Sequence, residues 1–148
     1  MVNKILPPTY FYLGIALILL MHFIFPIKKI IIYPYTLLGL LIILIGIILN
    51  IQAWFLFVKD KTTQNPYKIP NKFVTKEVYR ISRNPMYLGM LIVLIGASVI
   101  SGSIIAFIFP IIFLIIIDWF FIPTEEKNME KKFGKRYLEY KSKVRRWI

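Results

Sequence analysis

Apolar residues along this chain come in long unbroken runs, and polar residues gather between the runs. That pattern lacks the one-sided stripe of a soluble helix and predicts helices that are apolar all round. The first run extends from about Tyr10 to Phe25. Lys4 precedes it as in a signal peptide, but Phe25, Pro26 and Ile27 follow it in place of a small-residue cleavage site. It reads as a retained membrane helix. Lys28 and Lys29 fall in a short turn after Pro26. The second run, from about Tyr33 to Phe57, is long enough at roughly 1.5 Å per residue to cross the hydrocarbon with tilt. Gly39 and Gly46 offer it small packing faces, and Asn50, Gln52 and Trp54 mark its approach to the interface. The stretch 85–123 is too long for one crossing and suits two. Ser101-Gly102-Ser103 forms the turn, which predicts a helical hairpin over about 86–101 and 104–122 with a kink at Pro110.

The polar segments complete the pattern. Residues 58–84 hold seven Lys/Arg and two acids, and Pro66 and Pro70 rule out a long helix at their start. In the tail, 124–148, the residues Met129, Phe133, Tyr137, Tyr140 and Val144 recur at steps of four, four, three and four. They form one apolar stripe on an otherwise charged helix. Such a helix lies on the membrane surface or folds back over the bundle. The expected fold is therefore all-α, a single polytopic membrane domain over 1–148. It has about four transmembrane helices, a C-terminal helical hairpin and a cytoplasmic amphipathic tail helix.

Composition and charge refine this. Of 148 residues 58% are hydrophobic, the mean hydropathy is +0.69, and no charged residue occurs between Asn84 and Ile117. The net charge is +12, and 16 of the 19 Lys/Arg lie in 59–83 and 127–146. A basic chain raises nucleic acid as a partner. Between apolar spans, the same charge instead signals the positive-inside bias and attraction to anionic membrane lipids. Four spans with both termini inside put the loop 58–84 and the tail together on the cytoplasmic face. The abundance of Ile and Lys points to a low-GC microbial genome and hence to a prokaryotic plasma membrane. The absence of cysteine excludes disulfides and thiolate chemistry, and a single histidine, His22, argues against a histidine-rich metal site.

Three groups of residues could carry chemistry. Asp118 is an acid inside an apolar span, and intramembrane acids are rare. It reads equally as a site residue and as a structural partner for Arg80, Arg83 or a loop lysine. Glu125-Glu126 could act as paired acids, although acids in a first helical turn, with Thr124 as N-cap after Pro123, also serve the helix dipole. Arg80, Arg83, Asn84, Pro85 and Tyr87 could form a binding cluster or an ordinary interfacial helix start. His22 has no assigned role. There is no glycine-rich phosphate loop; Gly89, Gly96 and Gly102 are spaced for helix packing.

The combination carries more than its parts. Phe73-Val74-Thr75, then Tyr79-Arg80-x-Ser82-Arg83-Asn84-Pro85-Met86-Tyr87-Leu88-Gly89, form one block. Glu125-Glu126-x-x-Met129-x-x-x-Phe133-Gly134-x-x-Tyr137-x-x-Tyr140-x-x-x-Val144-x-Arg146 form a second. In this order, separated by a hairpin, they resemble the isoprenylcysteine carboxyl methyltransferase and phospholipid methyltransferase superfamily. The resemblance covers roughly the second half of the chain. It implies an integral membrane enzyme that transfers the methyl group of S-adenosylmethionine without a Rossmann domain, to a lipophilic acceptor such as an isoprenylcysteine-like carboxylate or a lipid amine. By that resemblance Asn84, Pro85, Tyr87, Gly89 and Glu125 would contact the cofactor, and Arg83 and Glu126 would serve the reaction; Asp118, outside the matching blocks, joins them as an acid that could accept a proton. Tyr79 and Arg80 would face the acceptor. Two positions depart from the family: Asn84 stands where it usually has His, and Glu77-Val78 where it often has Gly-Pro. Asn cannot titrate near neutral pH, which suits holding a cofactor rather than moving a proton. The alternatives are an NADPH-dependent enzyme like the sterol reductases, which are typically longer, and a non-enzymatic four-span protein. Small exporters of that layout need an acid in the first span, and none is present.

Overall fold

The computed structural model describes residues 5–24, 28–63, 65, 67–68 and 70–148. Lys4, Phe25, Pro26 and Pro66, invoked above for the ends of the first span and the start of the loop, lie outside the described residues. Helix α1 spans Pro7–Ile24. A 3-10 turn at Tyr35–Leu37 leads into α2, Leu38–Lys59. The described part of the loop that follows contains one 3-10 turn, Glu77–Arg80, and α3 spans Pro85–Ser101. A 3-10 turn at Ile104–Phe107 opens α4, Ile108–Ile116. A π-helical turn over Ile117–Phe121 then carries the chain without a break into α5, Ile122–Phe133. The last helix, α6, is Lys135–Lys143. Among the described residues there is no β-strand, only an isolated bridge between Lys29 and Ser103.

Among the described residues, three helical stretches are long and apolar enough to cross a membrane: Pro7–Ile24, Tyr35–Lys59 and Ile104–Phe133. Helix α3 is apolar and shorter, at 17 residues. The chain is an integral membrane protein, and its outward faces match: Phe23, Leu41 and Trp119 are exposed large apolar side chains, as hydrocarbon requires.

Helices α2 and α3 make the closest pairing, and glycine explains it. A Cβ on Gly46 would stand 2.7 Å from the Gly89 carbonyl oxygen, and one on Gly89 would stand 2.8 Å from that of Gly46. Gly39 and Gly96 repeat the arrangement one heptad away, at 2.5 and 2.8 Å. Two backbones can approach this closely only where no side chain intervenes. Across α3, a core of Ile18, Tyr87, Leu94, Phe113, Ile117 and Ile122 joins α1 to the α4–α5 helix. A second cluster, Ala53, Leu56, Val74, Val78 and Tyr79, seats the loop on the end of α2.

The expected hairpin turn at 101–103 is present. Gly102 adopts φ 70 as the left-handed cap of α3, and its carbonyl accepts the N–H groups of Ile30 and Ile31 at 2.9 and 3.2 Å. The two short turns therefore meet at one end of the bundle. At the other end the loop meets the tail, where the Arg83 N–H donates to the Arg145 carbonyl at 3.0 Å.

Pro110 stands in the third position of α4, just after the 3-10 turn, and a π turn follows Ile116 in the same span. Two local expectations are corrected. Thr124 is not an N-cap, because the helix continues through it; its hydroxyl donates back to the Phe120 carbonyl at 3.1 Å. The tail is two helices, not one, because Gly134 takes φ 51, ψ −127, a conformation open to glycine. The apolar stripe survives the break and folds back onto the loop. Phe73 stacks on Phe133 at 5.4 Å between centroids, lies tilted against Tyr137 and meets Tyr140 edge to face.

Candidate functional site

The loop and the tail close over a cavity of about 290 Å³ at their end of the bundle. Six parts of the chain supply its wall: the start of α1, the end of α2, the loop, the start of α3, the start of α5, and α6. Of the residues proposed from sequence, Tyr79, Arg83, Asn84, Pro85, Tyr87, Glu125 and Glu126 line it together. Leu6, Pro7, Phe57, Met90 and Met129 add an apolar side.

The polar side is built from two acid-centred contacts. The Tyr87 hydroxyl donates to Glu125 Oε1 in a short contact. Glu126, buried at 7% exposure, is shared by three cations. Arg83 Nη2 lies 3.2 Å from Oε1, Lys141 Nζ 3.1 Å from Oε2, and the Arg146 guanidinium contacts both oxygens at 3.3 and 3.2 Å. Arg83 is consequently only partly satisfied: its Nε and Nη1 are buried without a hydrogen-bond partner. Unpaired buried donors are costly, and these two nitrogens are open to an oxygen acceptor. Nearby phenols keep their protons. Burial, then the neighbouring Tyr140 and Glu125, push the Tyr79 hydroxyl above its ordinary range, and burial does the same at Tyr140. Tyr140 accordingly donates to the Tyr79 carbonyl at 2.6 Å.

Local sequence explains these positions. Pro85 begins α3, where its missing N–H costs nothing. Asn84 precedes it, with its N–H on Ser82 Oγ at 3.0 Å and its side-chain amide donating to the Arg146 carbonyl at 3.0 Å. Met86 is held through its carbonyl by Asn50 of α2 at 2.9 Å.

Three proposed residues fall elsewhere. Arg80 is exposed on the 3-10 turn and does not line the cavity. Gly89 is buried against α2, where it serves helix packing. Asp118 also lies outside the cavity wall. Its partner is neither Arg80, Arg83 nor a loop lysine: Oδ1 accepts from Arg146 Nη1 at 3.2 Å and from Trp147 Nε1 at 3.0 Å. The π turn aims it at the tail. Lys141, Arg146 and Trp147 were given no role by sequence reasoning. Arg146 stood within the recognised spacing, but nothing in that spacing says which acids it reaches.

With this geometry in place, comparison with known proteins decides the family. The phospholipid methyltransferase family model matches residues 34–136, most of the chain. The chain belongs to the phospholipid methyltransferase family. Protein-S-isoprenylcysteine O-methyltransferase B of Arabidopsis thaliana is 38% identical over 77 residues, which are 50% of this chain and 38% of that protein. Its relative A is 32% identical over 111 residues, 72% of this chain and 55% of that protein. An uncharacterised Haemophilus influenzae protein is 43% identical over 63 residues, 43% of this chain and all of that protein. The chain thus spans about two-fifths to just over half of the two plant enzymes. The family match contains α2, α3, the π turn and both acids, so it contains most of the cavity wall.

Proposed function

We propose that this family member catalyses S-adenosylmethionine-dependent methyl transfer to a lipophilic acceptor, at the cytoplasmic face of a prokaryotic plasma membrane. It would cross that membrane four times, with α3 as the short fourth span and both termini inside. The observation that carries the reading is the two-sided cavity. One side holds an incompletely paired arginine and two glutamates, and the other is lined by apolar side chains of α1, α2, α3 and α5.

The residues present fit the cofactor. Each of the two free nitrogens of Arg83, Nε on one side of the guanidinium and Nη1 on the other, can donate to a carboxylate oxygen of the cofactor. Glu125, with the Tyr87 hydroxyl, offers an acceptor surface for an ammonium or for ribose hydroxyls. Pro85 and Asn84 shape the wall beside them. When bound, the cofactor supplies an electrophilic methyl group on a sulfonium. The protein's part is to align the acceptor behind that methyl and to keep water out. Met90, Met129 and Phe57 supply the dry wall. A carboxylate acceptor would need no base. An amine acceptor must lose a proton, and Glu125 is the lining carboxylate not engaged by a cation among the described residues. Tyr79 lines the acceptor's side of this reading, and Arg80, exposed outside the wall, is left to the membrane surface.

The test is calorimetric titration of the detergent-purified protein with S-adenosylmethionine, with NADPH as control. Saturable binding that Glu126→Gln and Arg83→Ala each weaken by at least tenfold supports the assignment; that is the scale of losing a charged hydrogen-bond partner. Folded protein that binds NADPH, or neither ligand, overturns it.

A further inference from the structure

Beyond α6 the chain turns extended, with Val144 at φ −117, ψ 130, and runs back to the start of α3. The Arg145 carbonyl accepts the Arg83 N–H at 3.0 Å. The Arg146 carbonyl accepts the Ser82 hydroxyl at 3.2 Å and the Asn84 amide at 3.0 Å. The Arg146 guanidinium spans Glu126 and Asp118, and Trp147 Nε1 donates to Asp118. Neither Arg146 nor Trp147 lines the cavity, and both lie beyond the residues that the family model matches.

We infer that residues 145–147 form a strap that sets the Arg83–Glu126 pair, with Arg146 as its positioning residue. The reason is competition for Glu126. An isolated arginine and glutamate close a forked pair on each other, and both are then satisfied. Here the Glu126 oxygens are divided. Oε1 takes Arg83 Nη2 and Arg146 Nε, while Oε2 takes Arg146 Nη2 and Lys141 Nζ. Arg83 therefore reaches Glu126 with one nitrogen, and its Nε and Nη1 stay open in a buried position. Asp118 fixes the remaining end of the Arg146 fork at 3.2 Å, so the guanidinium cannot rotate away from Glu126. The backbone bonds of the strap hold Ser82, Arg83 and Asn84 in the same frame. Asp118, the acid inside the apolar span, thus acts through Arg146 and not on a ligand.

This rests on the reading of the cavity as a cofactor site, and two independent measurements separate the two. Affinity for S-adenosylmethionine is measured on the full chain in detergent for the wild type, Arg146→Gln, Arg146→Lys, Glu126→Gln and the double Arg146→Gln/Glu126→Gln variant. Amide hydrogen exchange of the segment containing Arg83 is followed without any ligand. Arg146→Gln should weaken binding about tenfold, the scale of a charge-assisted hydrogen bond. Arg146→Lys, which keeps the charge but cannot fork to both acids, should recover part of this. In the Glu126→Gln background the same substitution should change affinity less than about twofold, because its partner is already gone. Exchange at Arg83 should accelerate in Arg146→Gln. An equal loss of affinity in both backgrounds, or unchanged exchange at Arg83, overturns the strap. If the wild type binds no S-adenosylmethionine yet exchange accelerates in Arg146→Gln, the cofactor reading falls and the strap stands. If binding is present and neither property responds to Arg146→Gln, the strap falls alone.

Discussion

Glu77 has φ 52 at the start of the 3-10 turn that delivers Tyr79 to the cavity. A residue with a Cβ pays for that backbone, by roughly 1–2 kcal/mol. This is the position where the recognised family often has glycine, and the turn has kept the glycine geometry without the glycine. Glu77→Gly should therefore leave the fold intact and raise stability by up to about 1 kcal/mol, the relief of strain being partly offset by a freer unfolded chain. Thermal unfolding in detergent checks it, and a lower melting temperature would contradict the assignment of strain. Gly134 gives the opposite case. Its φ 51, ψ −127 suits glycine, and a Cβ there would meet no atom within 4 Å. Gly134→Ala should cost about 1–3 kcal/mol through backbone strain alone, read in the same assay. At this scale Asn84 also finds its use: as an amide it donates to the Arg146 carbonyl, a bond that needs no titratable group. Which backbone angles need glycine cannot be read from one residue's identity, because a glutamate can be forced into the same turn by its neighbours.

Among the elements, α2 and α3 show how far spacing carries. Gly39 with Gly46, and Gly89 with Gly96, are each a heptad apart, and the sequence places each pair on one face of its helix. Their reciprocal contact, glycine against carbonyl, belongs to the pairing of the two helices. Gly89→Ala would set a methyl 2.8 Å from the Gly46 carbonyl oxygen and 3.1 Å from Asn50. The helices must then separate, loosening the Asn50 bond to Met86 and the cavity wall beside it. We expect a loss of about 1–3 kcal/mol, the usual cost of overpacking. Melting near the wild-type temperature would contradict the close crossing. The tail element was legible only in part. The stripe Met129, Phe133, Tyr137, Tyr140 is real, but a helix in isolation could as well lie on the membrane. Phe73, sixty residues upstream of Phe133 in the chain, gives the stripe a protein surface instead. The π turn at Ile117–Phe121 was not legible in the sequence: Asp118 marks the place, but an acid among Ile, Trp and Phe suits an α-helix equally well.

For the whole molecule, charge segregation sets the expected orientation. The cationic loop and tail meet at one end, and the turns holding Lys28, Lys29 and Ser103 meet at the other. With no native cysteine, single-cysteine variants read the sides directly. In intact cells an impermeant maleimide should label Lys28→Cys and spare Lys76→Cys and Lys131→Cys; the reverse pattern would invert the proposed topology. Hydropathy and charge by themselves determined an all-helical membrane protein with its loop and tail on one side, because apolar length and cation distribution act through the solvent and need no partner. They also placed the arginine block and the paired acids at the same end of the bundle. Only the tertiary structure decided which residues share the cavity, why Arg80, Gly89 and Asp118 stand outside it, and which of the cations meet Glu126. Those outcomes depend on competition among distant side chains at ångström separations, and helical spacing says nothing about which competitor wins.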